Sequence, residues 1–161
     1  MELYEVMRTT FAAREYTGEP LPDEILYEIL ENARFAPSGG NRQGNRLIVV
    51  RESETREAFI KLLEPAAKRY QAQAKAGESP WNTISPTEVT PDDIQNTPAP
   101  TRLMEPYKTA DVLLVVTVDL RVVASTDQYL DRIGIISGAS IYPFVWNILM
   151  AARQAGYGGT I

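Results

Sequence analysis

Apolar residues recur at helical spacing along four stretches of the chain and run together in two short ones, and this pattern sets the expected order of elements. Leu3, Val6, Met7 and Phe11 predict a helix within residues 1–14 that presents Arg8 and Arg14 near its end. Pro20-Leu21-Pro22-Asp23-Glu24 is a helix start, with proline in the first turn and carboxylates at the positive end of the dipole. Ile25, Leu26, Ile29, Leu30 and Ala33 then form one apolar stripe, leaving Glu24, Glu28 and Glu31 on a solvated face. Pro37 and the Gly39-Gly40 pair stop that helix and open a loop into the apolar run Leu47-Ile48-Val49-Val50, expected as a strand covered on both faces near the sheet centre. Ser53 is expected to cap a helix carrying Phe59, Leu62, Leu63 and Ala66, kinked or restarted at Pro65 and ended by Gly77.

From residue 77 to residue 108 the periodicity disappears. Prolines at 80, 86, 91, 98, 100 and 106 predict a long loop, read as a lid, a binding loop or a surface excursion anchored by Trp81. Residues 112–118, Val-Leu-Leu-Val-Val-Thr-Val, give the strongest strand signal, and the long separation favours a parallel or mixed pairing with residues 47–50. Ser125-Thr126-Asp127 is expected to cap a helical stretch that reaches Gly156, broken at Pro143. Gly134, Ser137, Gly138, Ala139 and Ser140 form a small-residue patch within it. Tyr142, Phe144, Trp146, Ile148, Leu149 and Met150 then make the helix apolar all round, which calls for cover on every side, most simply from a partner subunit.

Composition narrows the chemistry. The 161 residues are 44% hydrophobic and 23% charged, consistent with a single domain, and the net charge of -5 argues against nucleic-acid or membrane-surface partners. Without Cys or His, neither thiolate nor imidazole catalysis is available, so reactive chemistry falls to a borrowed cofactor. The absence of an 18-residue apolar run and of a signal-peptide pattern sets a cytoplasmic expectation. In the loop of residues 36–46, Ser38, Asn41 and Gln43 can donate and accept while Arg42 and Arg46 add positive charge, a set suited to a polar planar ligand with an anionic tail; the same residue types also serve ordinary turns.

The run from Ala33 to Gln43 (Ala-Arg-Phe-Ala-Pro-Ser-Gly-Gly-Asn-Arg-Gln), preceded by Arg14-Glu15-Tyr16 and Glu19-Pro20-Leu21-Pro22, resembles the FMN-dependent nitroreductase family. Gly138-Ala139-Ser140, followed by the stretch from Asn147 to Gly158, is similar to that family's late helix. The resemblance covers most of residues 8–51 and 134–159. It implies an α+β nitroreductase-like fold over residues 1–161, with a central mixed β-sheet flanked by helices and a homodimer built on long central helices. It further implies FMN at the dimer interface, NADH or NADPH as donor, and ping-pong hydride transfer through flavin N5 to a nitroaromatic, a quinone or a similar small electrophile. No catalytic side chain is then required. Arg14 and Arg8 would hold the phosphate. Ser38, Gly39, Asn41 and Gln43 would line the ribityl chain and ring, and Trp81, Arg102 and Tyr107 would meet substrate.

Three positions depart from the family pattern. Thr10 and Ala12 stand where an arginine and a serine grip the phosphate, and Asn45 stands where an aromatic residue usually follows. The family also continues past the turn at residues 157–161 into a strand, a ring-facing loop and a basic residue. The chain is therefore expected either to be C-terminally incomplete, holding FMN weakly, or to be completed by its partner subunit. Two other readings stay open: a flavin-binding or sequestering protein with little turnover, and a cofactor-free dimeric structural protein.

Overall fold

The computed structural model describes residues 1–161 and has eight principal elements in the order α1 (Leu3–Thr9), α2 (Asp23–Ala33), β1 (Asn45–Val50), α3 (Ser53–Lys75), α4 (Pro91–Asn96), α5 (Thr101–Thr109), β2 (Leu113–Val118) and α6 (Tyr142–Gln154). They fall into two compact units. The first comprises residues 1–13, 19–49 and 114–161; the second comprises residues 14–18 and 50–113.

In the first unit, α2 packs along α6, and Ile29 and Ala33 meet Ile148 and Ala152 in a buried core flanked by Leu47, Leu114, Val116 and Phe144. The stripe expected on α2 is the face that packs, with Leu26, Ile29 and Ala33 buried. Helix α1 is shorter than its pattern suggested. The hydroxyls of Thr9 and Thr10 donate to the carbonyls of Glu5 and Val6, each at 2.7 Å, and Thr10 is already extended. Such side-chain bonds compete with a further helical turn.

The sheet departs from expectation in two respects. The N–H of Asp119, after β2, donates to the carbonyl of Gly44, before β1, and Arg51, after β1, pairs with Asp111, before β2, so the strands run antiparallel. Parallel pairing occurs separately, as an isolated bridge between Ala12 and Gly159. A Cβ on Gly159 would stand 2.8 Å from the Leu149 side chain, which explains glycine where residues 157–160 pass between α6 and the N-terminal segment. In addition, β1 is not covered on both faces along its length: Leu47 packs against the α2–α6 core and Val50 is buried, whereas Ile48 is 54% and Val49 39% exposed.

Residues 125–141 do not form the expected helix. The Asp127 carboxylate accepts from the backbone N–H groups of Ile135 and Ile136 and from Arg132, closing a turn instead of capping a helix. A 3-10 turn at Ile136–Ser140 follows, and α6 then begins, with Pro143 in its first turn rather than at a break.

In the second unit α3 runs unbroken through Pro65, and α4 and α5 pack against it. Glu52, not Ser53, is the cap, its carboxylate accepting from the N–H groups of Glu54 (3.3 Å) and Thr55 (2.7 Å). The stretch read as a loop therefore holds two helices. The signal lay in Thr90-Pro91-Asp92-Asp93, a capping box with proline at the first helical position: Thr90 and Asp93 satisfy each other's backbone N–H groups. The Arg56 guanidinium donates to the carbonyls of Tyr107, Ala110 and Asp111, placing positive charge at the C-terminal end of α5. No helix is long and apolar enough to cross a membrane.

Candidate functional site

The loop from Ala36 to Asn45 in the first unit is an unusual piece of backbone. Gly40, Asn41 and Gln43 all have positive φ, at 62°, 52° and 48°, in the left-handed region that an L side chain enters at a cost. Internal and distant bonds keep it there. The N–H of Gln43 donates to Ser38 Oγ at 3.0 Å, and the N–H of Asn41 donates to the Ser38 carbonyl at 2.8 Å. The N–H of Gly39 donates to Ser140 Oγ at 3.0 Å, and Asn45 Nδ2 donates to the Ser140 carbonyl at 3.3 Å. Gly44 is buried where the loop enters β1. A Cβ there would lie 2.6 Å from the Val122 side chain and 3.3 Å from the Asp119 carbonyl, so only glycine fits.

Four of the expected binding residues, Ser38, Gly39, Asn41 and Gln43, thus share one shaped loop. The Asn41 and Gln43 side chains are exposed; Gln43 Nε2 reaches the Arg34 carbonyl at 3.5 Å. Asn45 Oδ1 is buried with no hydrogen-bond partner. That orphaned acceptor beside exposed amides is a donor-and-acceptor set that fits a polar ring or a polyhydroxyl chain. Arg8 belongs to the same unit, exposed on the last turn of α1 with its guanidinium 5.9 Å from the Tyr4 ring.

The other expected residues lie in the second unit. Arg14 is exposed. Tyr107 accepts from Arg56 through its carbonyl and stands near Tyr16, whose phenol pKa is raised by burial first and by Tyr107 second, with Arg14 opposing. Arg102 is exposed on the first turn of α5. Trp81 stacks on Arg69, with the guanidinium 4.1 Å from its ring centroid.

Ser140, Gly44 and the carboxylate of Asp127 escaped the sequence reading as parts of this site. Backbone N–H bonds from Ile135, helped by Arg132 and Ile136, pull the Asp127 pKa down from 3.8 to about 2 against the effect of burial. The turn that Asp127 closes leads into the 3-10 segment carrying Ser140. Ser140 appeared in the sequence only as one member of a small-residue patch, and its bond to Gly39 spans 101 positions, which no local pattern reveals.

A model of the nitroreductase family matches residues 7–161. Over 46 residues the chain is 46% identical to an NADH dehydrogenase of Thermus thermophilus, a match that covers 29% of this chain and 22% of that protein. Among solved structures, iodotyrosine deiodinase bound to FMN and 3-iodo-L-tyrosine aligns with a TM-score of 0.62 at 20% identity, covering 98% of this chain and 72% of the other. A BluB-like flavoprotein from Clostridium difficile gives 0.61 at 19%, covering 98% and 72%. A nitroreductase with bound FMN from Desulfitobacterium hafniense gives 0.56 at 24%, covering 95% and 65%. These likenesses establish the fold, and with a family match that spans nearly every residue, the chain belongs to the nitroreductase family.

Proposed function

We propose that this chain is an FMN-dependent oxidoreductase that acts as a homodimer, using NADH or NADPH to reduce a small electrophile such as a nitroaromatic or a quinone. The observation that carries the reading is the Ser38–Asn45 loop, strained at Asn41 and Gln43, exposing their amides and ending in a buried, unpaired acceptor. Family membership and the FMN named with the deiodinase and the D. hafniense enzyme support the choice of cofactor. The NADH dehydrogenase of T. thermophilus supports a nicotinamide donor.

FMN, when bound, supplies two-electron hydride chemistry in a ping-pong cycle, which suits a chain lacking Cys and His. The protein's residues then bind and orient. Asn41 and Gln43 offer amides to the ring and ribityl groups, Asn45 Oδ1 accepts from a hydroxyl or imide N–H, and Gly39 lets the ligand approach the backbone. Arg14 and Arg8 supply charge for the phosphate, and Trp81, Arg102 and Tyr107 remain the proposed substrate contacts. Exposed apolar residues of the first unit, among them Phe35, Ile135, Tyr142 and Trp146, support a partner subunit as cover.

A second reading, flavin storage with little turnover, has its own support. Thr10 donates its hydroxyl to the Val6 carbonyl, and Ala12 is held in its bridge to Gly159, so the two substituted phosphate positions are committed to the fold. Flavin fluorescence quenching and NADH-driven reduction of a quinone separate these readings. Asn41→Ala or Gln43→Ala is expected to weaken FMN binding by about 1–3 kcal/mol each. Sedimentation is expected to give a dimer at micromolar concentration. A dimer that binds no FMN would overturn both readings and leave only a cofactor-free structural role.

A further inference from the structure

Arg69, in the middle of α3, has no countercharge. Its neighbour Lys68 pairs with Glu64, Arg51 with Asp111, Arg121 with Asp119 and Arg132 with Asp127. No carboxylate or carbonyl meets the half-buried Arg69 guanidinium. It lies 4.1 Å from the centroid of the Trp81 ring, and its Nε is buried without a hydrogen-bond partner. In a chain of net charge -5, a part-buried cation left in this state is an unspent binding group.

The tryptophan above it is held in place at a cost. Trp81 has φ 58°, an outlier for so bulky a residue. Its N–H donates to Oε1 of Gln73, a buried side chain whose Nε2 donates to Glu78 at 3.1 Å. The Glu78 carboxylate also accepts from the Thr87 hydroxyl at 2.7 Å and the Glu88 N–H at 2.8 Å. The loop is therefore tied from both sides, and it presents an indole that stays 49% exposed.

We propose that Arg69 and Trp81 form a binding site for a small aromatic carboxylate. The planar guanidinium matches a carboxylate edge to edge, and the indole offers a flat apolar wall to the ring. One unpaired guanidinium in a chain of net charge -5 selects a single negative charge over a polyphosphate. The site is built entirely within the second unit; it shares Trp81 with the proposed substrate contacts but needs no bound flavin.

The test uses the full chain without FMN, labelled with 15N-tryptophan, and follows the two indole N–H signals, those of Trp81 and Trp146, as benzoate is added. Trp81→Phe assigns them. Benzoate is expected to move the Trp81 signal saturably in the millimolar range and to leave Trp146 in place, with neutral benzamide about tenfold weaker. Arg69→Gln should abolish the preference for benzoate, and Arg69→Lys should retain part of it, because charge persists without the fork. Should Arg69→Gln fail to fold, benzoate affinity in the unaltered chain should fall with added salt while that of benzamide holds steady. Equal response to benzoate and benzamide, an unmoved Trp81 signal, equal movement of Trp146, or full benzoate binding by a folded Arg69→Gln chain would each overturn the proposal. FMN titration of the same protein is a separate readout, so failure here leaves the flavin reading standing.

Discussion

The loop at residues 36–45 and the loop at residues 77–90 both carry strained backbone and exposed side chains suited to ligands, yet they are held in opposite ways. The first leans on a residue 101 positions away, through Gly39 and Ser140, and on the fit of Gly44 beneath Val122. The second is tied by its own neighbours: Gln73, Glu78, Thr87 and Glu88 bond one another or Trp81, and Asn82 accepts from the N–H groups of Ile84 and Ser85, all across no more than ten positions. The first inherits its shape from the packing of α2 and α6. The second carries its shape with it, so the two should respond differently to damage in the core.

The largest expected effect comes from Ile148→Ala, which empties the centre of the α2–α6 core and should cost about 2–5 kcal/mol in urea denaturation. Native-state hydrogen exchange should show the Gly39 and Gln43 amides opening more readily while local protection at Trp81 is unchanged. Equal loosening of both loops would break the comparison.

Gly44→Ala should cost about 1–3 kcal/mol, because its Cβ must displace a short β-branched side chain beside a fixed carbonyl. FMN affinity should fall with it as the loop loses its entry angle into β1. Unaltered affinity would show that Gly44 matters to folding alone. Ser140→Ala removes the acceptor of the Gly39 N–H, an exposed bond, and should cost about 0.5–1.5 kcal/mol while raising exchange at Gly39 specifically.

The smallest effects are electrostatic and local. The Glu78 pKa is lowered by the Thr87 hydroxyl first and the Glu88 N–H second, so Glu78→Gln should release residues 87–88 and Trp81 without touching the first loop; two-dimensional NMR of the Trp81 indole would detect it. Asp127 provides the counterpart. Its folded-state pKa of about 2 lies below its ordinary 3.8, so its stabilisation is fully present above about pH 4 and is lost as pH falls towards 2. Exchange at Ile135, Ile136 and then Gly39 should rise across that window. Asp127→Asn should already show the raised exchange at neutral pH; identical acid profiles for the two proteins would remove Asp127 from the account.

Much was legible where a single residue or a short pattern carries the physics. Pro22-Asp23-Glu24 starts α2 and Gly77 ends α3 as read, and the left-handed Gly40 lies where the chain had to turn. The capping box at Thr90 was legible too, though the prolines around it obscured the two short helices. The stretch at 125–141 was misread for a different reason. Asp127 bonds forward to Ile135 and Ile136, eight and nine residues on, whereas a helix cap bonds within three.

The sequence by itself determined the family, the main helices, the apolar stripe of α2, the two strands and the loop in which four expected binding residues lie together, because each is written in spacing or in the conformational limits of Gly and Pro. Only the tertiary structure decided that the strands pair antiparallel, that Asn45 keeps an orphaned acceptor, that Ser140 clamps Gly39, and that Arg69 meets Trp81 and no carboxylate. Those facts depend on which distant groups arrive beside one another when the apolar faces are buried, and burial is indifferent to distance along the chain.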